Sequence, residues 1–513
     1  MLYPIGIQDF ETIREDGYVY VDKTAYIYQL ASRGQYYFLS RPRRFGKSLL
    51  VSTLEAYFQG RRELFEGLAI EKLEKEWIKY PVLHLDLNAE EYVDAEALTG
   101  KINLYVSRWE VSYGTDPNEN SLAARFSGVI SRAYEQTGQK VVILIDEYDK
   151  PLLEAIGNEE LTKAYRATLS AFYSVMKNQG KFIRFVLLTG VTKFSKVSIF
   201  SGLNNLRDIS MVRNFAGVCG VTESELRTYF NKSVEELAED RGLTVDECYA
   251  KLKQRYDGYH FSEGSEGVYN PFSLLNAFED KRFGNFWFQS GTPTFLTEVI
   301  RNADYDLTSI QTAKVSADDM GSTENPAYSP IPVLYQAGYL TIKDYDPEYE
   351  LYRLGFPNRE VELGFMNYLL PTFIRKRDMM GKSYIENFVD EVKAGKPDDF
   401  LRRMQAMMAG NNYQVAGEME IYFQNVMYVI FRLMGFYTQV ESATSEGRID
   451  LKIETANYIY IIEIKLDGSA DKALQQIEDK NYAAQFAFDK RQLFKIGVNF
   501  SSATRGIAEW KVG

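Results

Sequence analysis

The first 215 residues alternate short, mostly apolar runs with longer segments in which apolar residues recur at helical spacing. Such short apolar runs are typical of strands buried on both faces. Buried strands separated by helices predict a mainly parallel sheet with helices on both sides, which is an α/β fold. The predicted strands are residues 36–40, 82–87, 141–145 and 182–188, and the clearest predicted helices are residues 48–58 and 161–178.

After about residue 220 the pattern becomes helical, and a candidate capping box of Thr222 and Glu225 opens this region. Further on, a helix stops at Gly338 and two alternating segments follow it. A helix followed by a hairpin is typical of the end of a winged-helix module and equally of an ordinary lid, so both interpretations stand. The helix takes in residues 333–337, and the alternating segments are residues 339–343 and 349–354.

The last part of the chain begins with charged helices over residues 358–410 and then changes pattern again. From residue 418 a helix leads into three short strands, a further helix and a last strand. This α-β-β-β-α-β order predicts a compact terminal domain of about 100 residues. The predicted strands are residues 437–441, 449–453, 458–465 and 493–500, with a helix at residues 470–486. The expected domains are residues 1–220, 221–357, 358–412 (a helical linker) and 413–513.

Composition narrows the classes of function. The 513 residues include 71 acidic and 59 basic side chains, a formal net charge of −12. This charge excludes a polycation that coats nucleic acid, but it allows a local basic site. The two cysteines, Cys219 and Cys248, and the two histidines, His84 and His260, lack the close spacing of a zinc site. We expect His84 to be a satisfied core residue, because it lies in a mostly apolar run.

The chain carries no targeting signal that we recognise. Its first residues lack a basic segment followed by an apolar one, so no signal peptide is expected. No run of about 18 apolar residues is found, so no transmembrane helix is expected. We therefore expect a cytoplasmic protein in a reducing compartment, without a membrane partner.

A phosphate-binding loop is indicated between the first predicted strand and the helix after it. Gly46, Lys47 and Ser48 match the end of the pattern G-x-x-x-x-G-K-S, although Arg41 occupies the first glycine position. In such a loop the backbone N–H groups face the phosphates, Lys47 reaches the β- and γ-phosphates, and Ser48 holds Mg²⁺. The three residues alone are common by chance, and their strand–loop–helix setting is what favours a nucleotide site.

Two acidic residues, Asp146 and Glu147, follow the third predicted strand and fit the Walker B pattern. Asp146 would hold Mg²⁺, and Glu147 would polarise the attacking water. Without a phosphate-binding loop in the same domain, the pair would be interpreted as a solvated strand end. The candidates for sensing the γ-phosphate at the end of the next strand are Thr189 and Thr192.

The phosphate-binding loop, the acidic pair after the third strand and several further motifs carry a resemblance to a known family. The chain resembles bacterial AAA-ATPase-like proteins whose C-terminus carries a PD-(D/E)XK nuclease-like domain. The shared motifs are GIQDF at residues 6–10, YVDKT at 20–24, RPRRFGKSL at 41–49, DEYDKP at 146–151, LTGVTKF at 188–194 and YDGY at 256–259. The resemblance covers nearly the whole chain, and Arg41 follows the pattern of the family.

This resemblance implies an N-terminal P-loop domain of AAA type with a parallel sheet, a helical or winged-helix-like middle, and a C-terminal α/β domain of restriction-endonuclease type. It also implies ATP and Mg²⁺ as cofactors. The segment YVDKT is expected to help bind nucleotide. The candidate nucleotide-binding residues are Arg44, Phe45, Gly46, Lys47, Ser48, Leu49, Asp146 and Thr189.

A second group of candidates lies near the C-terminus. Glu463 and Lys465 are two positions apart on a predicted strand and so share a face, and an adjacent strand can bring Asp450 beside them. Two carboxylates can hold Mg²⁺, and Lys465 can orient or deprotonate the attacking water or offset charge in the transition state. This is the D-(x)n-E-x-K arrangement of PD-(D/E)XK nucleases. An E-x-K alone is mostly a same-face ion pair, but burying one after the apolar segment YIYII would be costly without a role.

The resemblance adds further residues to this second site. It implies that Gln476, followed by Lys480 and Tyr482, lines the site and that Glu420 is an extra metal ligand. Family members often carry His four positions after that glutamate, whereas this chain has Gln424. The catalytic candidates are Glu147, Asp450, Glu463, Lys465 and Gln476, and the metal-binding candidates are Ser48, Asp146, Glu420, Asp450 and Glu463.

We expect an ATP-regulated, Mg²⁺-dependent nuclease that acts on nucleic acid, with DNA favoured over RNA as the substrate. Two alternatives remain: a nucleotide-dependent sensor of nucleic acid or protein with a catalytically silent nuclease fold, and a plain ATPase with a structural terminal domain.

Residues 413–513 carry eleven basic and thirteen acidic side chains, so most of the net negative charge of the chain lies between the two sites. A homo-oligomer is compatible with the sequence. The candidates for an arginine finger are Arg207, Arg213 and Arg255, although a solvated surface position is favoured for each.

Overall fold

The computed structural model of the chain forms two compact units. The first consists of residues 1–291, 314–326 and 331–360, and the second of residues 292–313, 327–330 and 361–513. The residues that the structure describes are 1–88, 91–193, 205–289, 306–320, 330–373, 382–408, 419–435, 439–445, 448–504 and 506–513.

The first unit is built around a parallel sheet of five strands. The strands are β1 Tyr36–Ser40, β2 Val82–Asp86, β3 Val141–Asp146, β4 Ile183–Gly190 and β5 Arg207–Asp208. They lie in the order β2-β3-β4-β1-β5, and all neighbours pair in parallel, which confirms the expected α/β fold. Every residue of β3 is buried, as its unbroken apolar sequence predicts. The carboxyl ends of the strands meet at one edge, where Asp86 is paired with Asp146.

Helices cover both faces of this sheet. On one face, Ile143 belongs to the same buried cluster as Ile102 and Phe126. On the other face, the ring of Phe185 lies 5.0 Å from the ring of Phe58. The helices of this region are Phe10–Glu15, Thr24–Arg33, Lys47–Phe58, Ala69–Leu73, Ala95–Tyr113, Leu122–Thr137, Lys150–Glu154 and Glu159–Asn178.

The following region has a separate apolar cluster formed largely by helices. The predicted capping box of Thr222 and Glu225 is present at the start of the first helix. The helical pattern predicted after about residue 220 is confirmed as two successive helices, because Gly242 adopts a left-handed φ of 63° and ends the first. The helices are Glu223–Arg241, Val245–Tyr256, Pro271–Glu279, Phe286–Gln289 and Ala317–Met320, and strands β6 Val221–Thr222 and β7 Val268–Tyr269 pair beside them.

The predicted helix and hairpin are both present after residue 330. Helix Ile331–Gln336 ends before Gly338, whose φ is 89°. The strands are β8 Lys314–Val315, β9 Thr341–Asp346 and β10 Leu351–Gly355, in the sheet order β8-β10-β9. A Cβ on Gly338 would lie 2.5 Å from the Cβ of Pro42, so this turn packs closely on the phosphate-binding loop.

The second unit contains helices followed by a mixed five-stranded sheet. The helices up to the sheet are Arg359–Phe373, Lys382–Lys393, Pro397–Met408 and Met419–Met434. The strands are β11 Gln439–Ser445, β12 Arg448–Glu454, β13 Tyr458–Leu466, β14 Gln492–Ser501 and β15 Gly506–Val512, in that order across the sheet. Strands β13 and β14 are parallel, and the other neighbours are antiparallel.

Two expectations for this unit were incomplete. The helix predicted over residues 470–486 ends at Asp479, because Asn481 adopts a left-handed φ of 49° and a short 3₁₀ helix, Tyr482–Phe486, follows. Strand β15 was not predicted, since it is an edge strand in which charged residues interrupt the apolar pattern. In the part of the chain that is described, no helix has the length and apolar character needed to cross a membrane.

Candidate active sites

The phosphate-binding loop connects β1 to helix Lys47–Phe58. Gly46 has a φ of 90° and is the N-cap of the helix, so the cap position has no side chain that could bond to the first amides. The first amide N–H groups of a helix have no partner within it, so they are free to bind an anion. Arg44 also has a positive φ, 66°. These two left-handed residues allow the loop to turn sharply between β1 and the helix.

The side chain of Lys47 is held inside this loop. Its Nζ donates to the carbonyl oxygens of Arg41 (3.2 Å) and Pro42 (3.4 Å) and forms an ion pair with Glu147 Oε1 at 3.1 Å. The side chain is only 3% exposed. The predicted lysine of the loop and the predicted base therefore contact each other directly.

The acidic residues at the end of β3 lie at the same edge of the sheet. Asp146 accepts a hydrogen bond from Thr189 Oγ1, at the end of β4, and another from the N–H of Glu147 at 3.1 Å. Thr189 is fully buried, so its hydroxyl orients Asp146. Glu147 has a φ of 51°, a conformation that is uncommon for residues other than glycine. The close turn directs its carboxylate towards Lys47.

A cavity of about 330 Å³ opens in front of the loop. Of the predicted nucleotide-binding residues, five line it: Arg44, Gly46, Lys47, Ser48 and Leu49. Other lining residues were not assigned a role from the sequence. They are residues 4–8, Arg43, Asn88, Lys150, Leu153, Pro271, Phe272 and Leu275. The GIQDF motif was a signal for residues 6–8, whereas nothing in the sequence pointed to Phe272, over which the guanidinium of Arg44 lies at 4.8 Å.

Phe45 turns its side chain away from this cavity. Its ring packs edge-on against Tyr259 (4.7 Å) and Phe261 (5.5 Å). A second cavity, of about 100 Å³ and mostly apolar, is lined by Phe45, Gly46 and Leu49. Gly46 and Leu49 line both cavities, so the two spaces adjoin.

The YVDKT segment lines the smaller cavity through Tyr20, Val21 and Lys23. Lys23 Nζ is bound to Glu225 at 2.6 Å and to the carbonyl of Gly217 at 2.8 Å. Asp22 accepts the N–H groups of Thr24 and of Ala69. The polar side chains of the segment are therefore engaged in holding neighbouring elements together.

Asp149 is a further acid of this site to which the sequence gave no role. Its carboxylate is fully buried and accepts the N–H groups of Val191 (3.0 Å) and Thr192 (2.5 Å) and the hydroxyl of Thr192 (2.6 Å). Burial, and then the charge of Glu147, raise its pKa to about 6. Thr192, a candidate phosphate sensor, thus bonds to Asp149. The DEYD acids in the family motif were the signal for this contact.

Several other expectations concern residues outside these contacts. His84 is half-buried: its Nδ1 lies 2.7 Å from Glu55 Oε2, and its Nε2 has no partner among the described residues, so the expectation of a satisfied core residue was wrong. Burial opposes the charged ring, but the hydrogen bond and charge of Glu55 outweigh it and raise the pKa of His84.

Among the arginine-finger candidates, Arg207 and Arg213 are exposed and Arg255 is half-buried.

The terminal candidates meet at the end of β13. Asp450 on β12 is paired in register with Glu463 on β13. Lys465 Nζ lies 3.1 Å from Glu463 Oε1 and also donates to Gln476 Oε1, which comes from helix Ala470–Asp479. That helix can approach because Gly497, the β14 partner of Glu463, has no side chain: a Cβ there would lie 2.2 Å from the carbonyl oxygen of Ala470.

The chemistry of these residues fits a divalent cation. Glu463 is 1% exposed, and carboxylate oxygens such as those of its side chain are the ligands that a hard divalent cation prefers. Gln476 Nε2 is buried without a partner among the described residues. Lys480 is exposed, and its Nζ lies 5.7 Å from the ring centre of Tyr482.

The side chains of Glu420, Gln424 and Asp450 lie outside the described part of the structure. Within that part, no group of three or more His, Cys, Asp or Glu is arranged to hold a metal ion. The residues that could hold one here are Glu463 and its register partner Asp450.

Comparison with known proteins gives consistent matches along the chain. Residues 4–200 match a family described as predicted AAA-ATPase, and residues 418–510 match the PD-(D/E)XK nuclease superfamily. An uncharacterized protein in the vnfD 5′ region of Azotobacter chroococcum mcd 1 is 35% identical over 533 residues, covering 99% of this chain and 98% of the relative. Among solved structures, the ORC2 protein of Aeropyrum pernix, in ADPNP and ADP complexes, aligns over 65% of this chain and 88% of its own, with 13% identity and a TM-score of 0.25.

Proposed function

Because this chain belongs to the family of AAA-ATPase-like proteins with a C-terminal PD-(D/E)XK nuclease-like domain, we propose that it is an ATP-hydrolysing, Mg²⁺-dependent nuclease. Its substrate is nucleic acid, DNA rather than RNA. The observation that carries the proposal is the cluster of Glu463, Lys465 and Gln476 at the end of β13, with Asp450 in register beside it.

The cavity in front of the phosphate-binding loop supports the nucleotide half of the proposal. Arg43, Arg44 and Lys47 supply positive charge for a triphosphate, and Ser48 with Asp146 would hold Mg²⁺. The adjoining apolar cavity suits a base. When a phosphate oxygen takes the place of Glu147 on Lys47 Nζ, the carboxylate of Glu147 is free to accept a proton from water.

The terminal cluster supports the nuclease half. Asp450 and Glu463 would hold Mg²⁺, which when bound polarises a phosphodiester and lowers the pKa of its water. Lys465, oriented by Glu463 and Gln476, places its ammonium where it can position the water or balance charge on the phosphate. Gln476 keeps Lys465 in place through its carbonyl oxygen.

A cleavage assay with the full-length chain tests this proposal. Single-stranded DNA, double-stranded DNA and RNA are incubated with and without ATP, in Mg²⁺ or Mn²⁺. We expect cleavage by the wild type, and its loss in both Asp450→Ala and Lys465→Ala with unchanged circular dichroism. Lys495→Ala, on the neighbouring strand and paired with the exposed Glu478 at 2.6 Å, is the matched control. Cleavage that survives both site substitutions would show that the activity lies elsewhere.

The second candidate function is a nucleotide-dependent sensor that binds nucleic acid or protein and cuts nothing. It is favoured by contacts between the helix–hairpin region and the nucleotide domain. The N–H of Lys193, beyond β4, donates to Gln336 Oε1 at 2.8 Å, and Gly338 packs on Pro42. Under this alternative, the cleavage assay would show no product with either metal, and a gel-shift experiment would show ATP-dependent binding of DNA. A homo-oligomer, measured by light scattering with and without ATP, would be compatible with either function.

A further inference from the structure

Arg41 occupies the position of the first glycine in the phosphate-binding pattern, yet its side chain does not line the cavity of the loop. Its Nη1 donates to the carbonyl oxygens of Ser40 (2.9 Å) and Ser210 (2.8 Å), and its Nη2 donates to that of Phe215 (3.0 Å). The residue is 1% exposed. A long cationic side chain is thus completely enclosed and ties the start of the loop to the segment that follows β5.

No carboxylate of the described residues forms an ion pair with this guanidinium. Asp208, whose charge acts on it, is itself bound to Lys193 at 2.6 Å. The guanidinium instead lies 4.0 Å from the ring centre of Phe261. Burial lowers the pKa of Arg41, but a guanidinium keeps its charge in proteins. A positive charge with no partner acid in the described part of the chain therefore lies behind the loop, where few solvent molecules screen it.

The backbone of Arg41 is fixed as firmly as its side chain. Its N–H donates to the carbonyl of Gly190 at the end of β4 (3.1 Å), and its carbonyl accepts from Lys47 Nζ (3.2 Å). Within the described loop, positive φ values occur at Arg44 and Gly46. Position 41 therefore needs no glycine, and an anchored arginine can fix the peptide that holds Lys47.

We propose that Arg41 is a positioning residue for the triphosphate. It fixes the phosphate-binding loop and Lys47 through its bonds to backbone carbonyls, and it adds positive charge behind the loop. The inference rests on the proposed nucleotide site. The sequence pattern and the structure predict opposite effects for Arg41→Gly, a substitution that completes the pattern G-x-x-x-x-G-K-S. The pattern predicts that this variant binds ATP at least as well as the wild type, whereas the structure predicts a loss.

The test measures binding of ATP and of adenosine to the full-length chain by calorimetry or competition. Arg41→Gly should weaken ATP binding on the order of tenfold to a hundredfold, because it removes several hydrogen bonds from a charged donor. Adenosine binding should be unchanged, and millimolar guanidinium should restore part of the ATP affinity. The ATP affinity of Arg41→Lys should lie between that of the wild type and that of Arg41→Gly. Arg33→Gly, at the exposed end of helix Thr24–Arg33, is the matched control.

Each other outcome counts against the inference. Wild-type ATP affinity in a folded Arg41→Gly chain overturns it, as does an equal loss of ATP and adenosine affinity, which would indicate general disruption. If Arg41→Gly fails to fold, wild-type ATP affinity in Arg41→Lys overturns the need for the guanidinium. If the wild type itself binds no ATP, the proposed nucleotide site fails, and this result is recognised without any variant.

Discussion

Both candidate sites place a lysine ammonium 3.1 Å from a glutamate carboxylate, but they build the pair in different ways. Lys47 begins a helix and Glu147 follows a strand a hundred residues later, so only the assembled sheet brings them together. Lys465 and Glu463 are two positions apart on β13, where strand alternation alone puts them on one face. The first pair is a product of topology, and the second is a product of local geometry.

The remaining partners show what this difference means for function. Besides Glu147, Lys47 contacts backbone carbonyls of its own loop, so a phosphate can replace the glutamate without breaking the fold. Lys465 is held by Glu463 and by Gln476 from an adjacent helix. We therefore expect the nucleotide site to rearrange on binding, and the terminal site to be preset.

The largest expected effect separates the two lysines. Lys465→Met should lower nucleic-acid cleavage by about a thousandfold or more and leave ATP affinity unchanged. Lys47→Met should abolish ATP binding and leave only the cleavage that needs no nucleotide. Cleavage rates and ATP dissociation constants are measured on both variants. Loss of ATP affinity in Lys465→Met, or unchanged ATP affinity in Lys47→Met, would contradict the assignment of separate roles.

A second substitution tests whether the Lys47–Glu147 pair is a switch. Glu147→Gln should lower ATP turnover by about a hundredfold to a thousandfold, since the base is lost. It should also bind ATP somewhat more tightly, because Lys47 no longer has to leave an ionic partner. Phosphate release and equilibrium binding give the two numbers. Glu63→Gln, at an exposed position, is the control, and weaker ATP binding in Glu147→Gln would count against the switch.

A third prediction concerns the buried acid of the nucleotide domain. The pKa of Asp149 is about 6 in the folded chain against an ordinary 3.8, so the native state holds this proton more tightly than the unfolded state. The stability that results is complete below about pH 4 and is lost as pH rises through 6. Asp149→Asn should lack this decline in urea unfolding between pH 4 and 7, whereas Asp116→Asn at an exposed site should keep it. Identical pH profiles for Asp149→Asn and the wild type would contradict the raised pKa.

The smallest effect is expected at a pair to which no chemistry is assigned. His84 and Glu55 are each about 30% exposed, so their interaction should contribute only about 0.5–1 kcal/mol. Because the pKa of His84 is raised, this contribution is present below its unfolded pKa and is lost as pH rises through the folded value. His84→Gln and Glu55→Gln should show the same small loss in thermal unfolding at pH 6, and this loss should shrink as the pH rises. A larger loss in the double variant than in either single variant would show that the pair acts otherwise.

Much of the fold could be predicted because buried strands and capped helices have local sequence patterns. The four main strands of the first sheet, the Thr222 capping box and the hairpin after Gly338 all followed from such patterns. Strand β15 did not, since its pairing with β14 depends on a partner strand. Nor did the break at Asn481, because a left-handed residue is only weakly encoded outside glycine.

The sequence by itself determined the α/β class, the presence of a phosphate-binding loop and the shared face of Glu463 and Lys465, because each depends on residues close together in the chain. Only the tertiary structure decided which groups those residues contact. Asp149, which follows β3, accepts a hydrogen bond from Thr192, which follows β4. Arg41 donates to the carbonyls of Ser210 and Phe215, about 170 residues away. Contacts between residues so far apart in the chain form only when the sheet brings the ends of its strands together. Where the partner is a backbone carbonyl, the sequence gives no sign of it, because every residue has one.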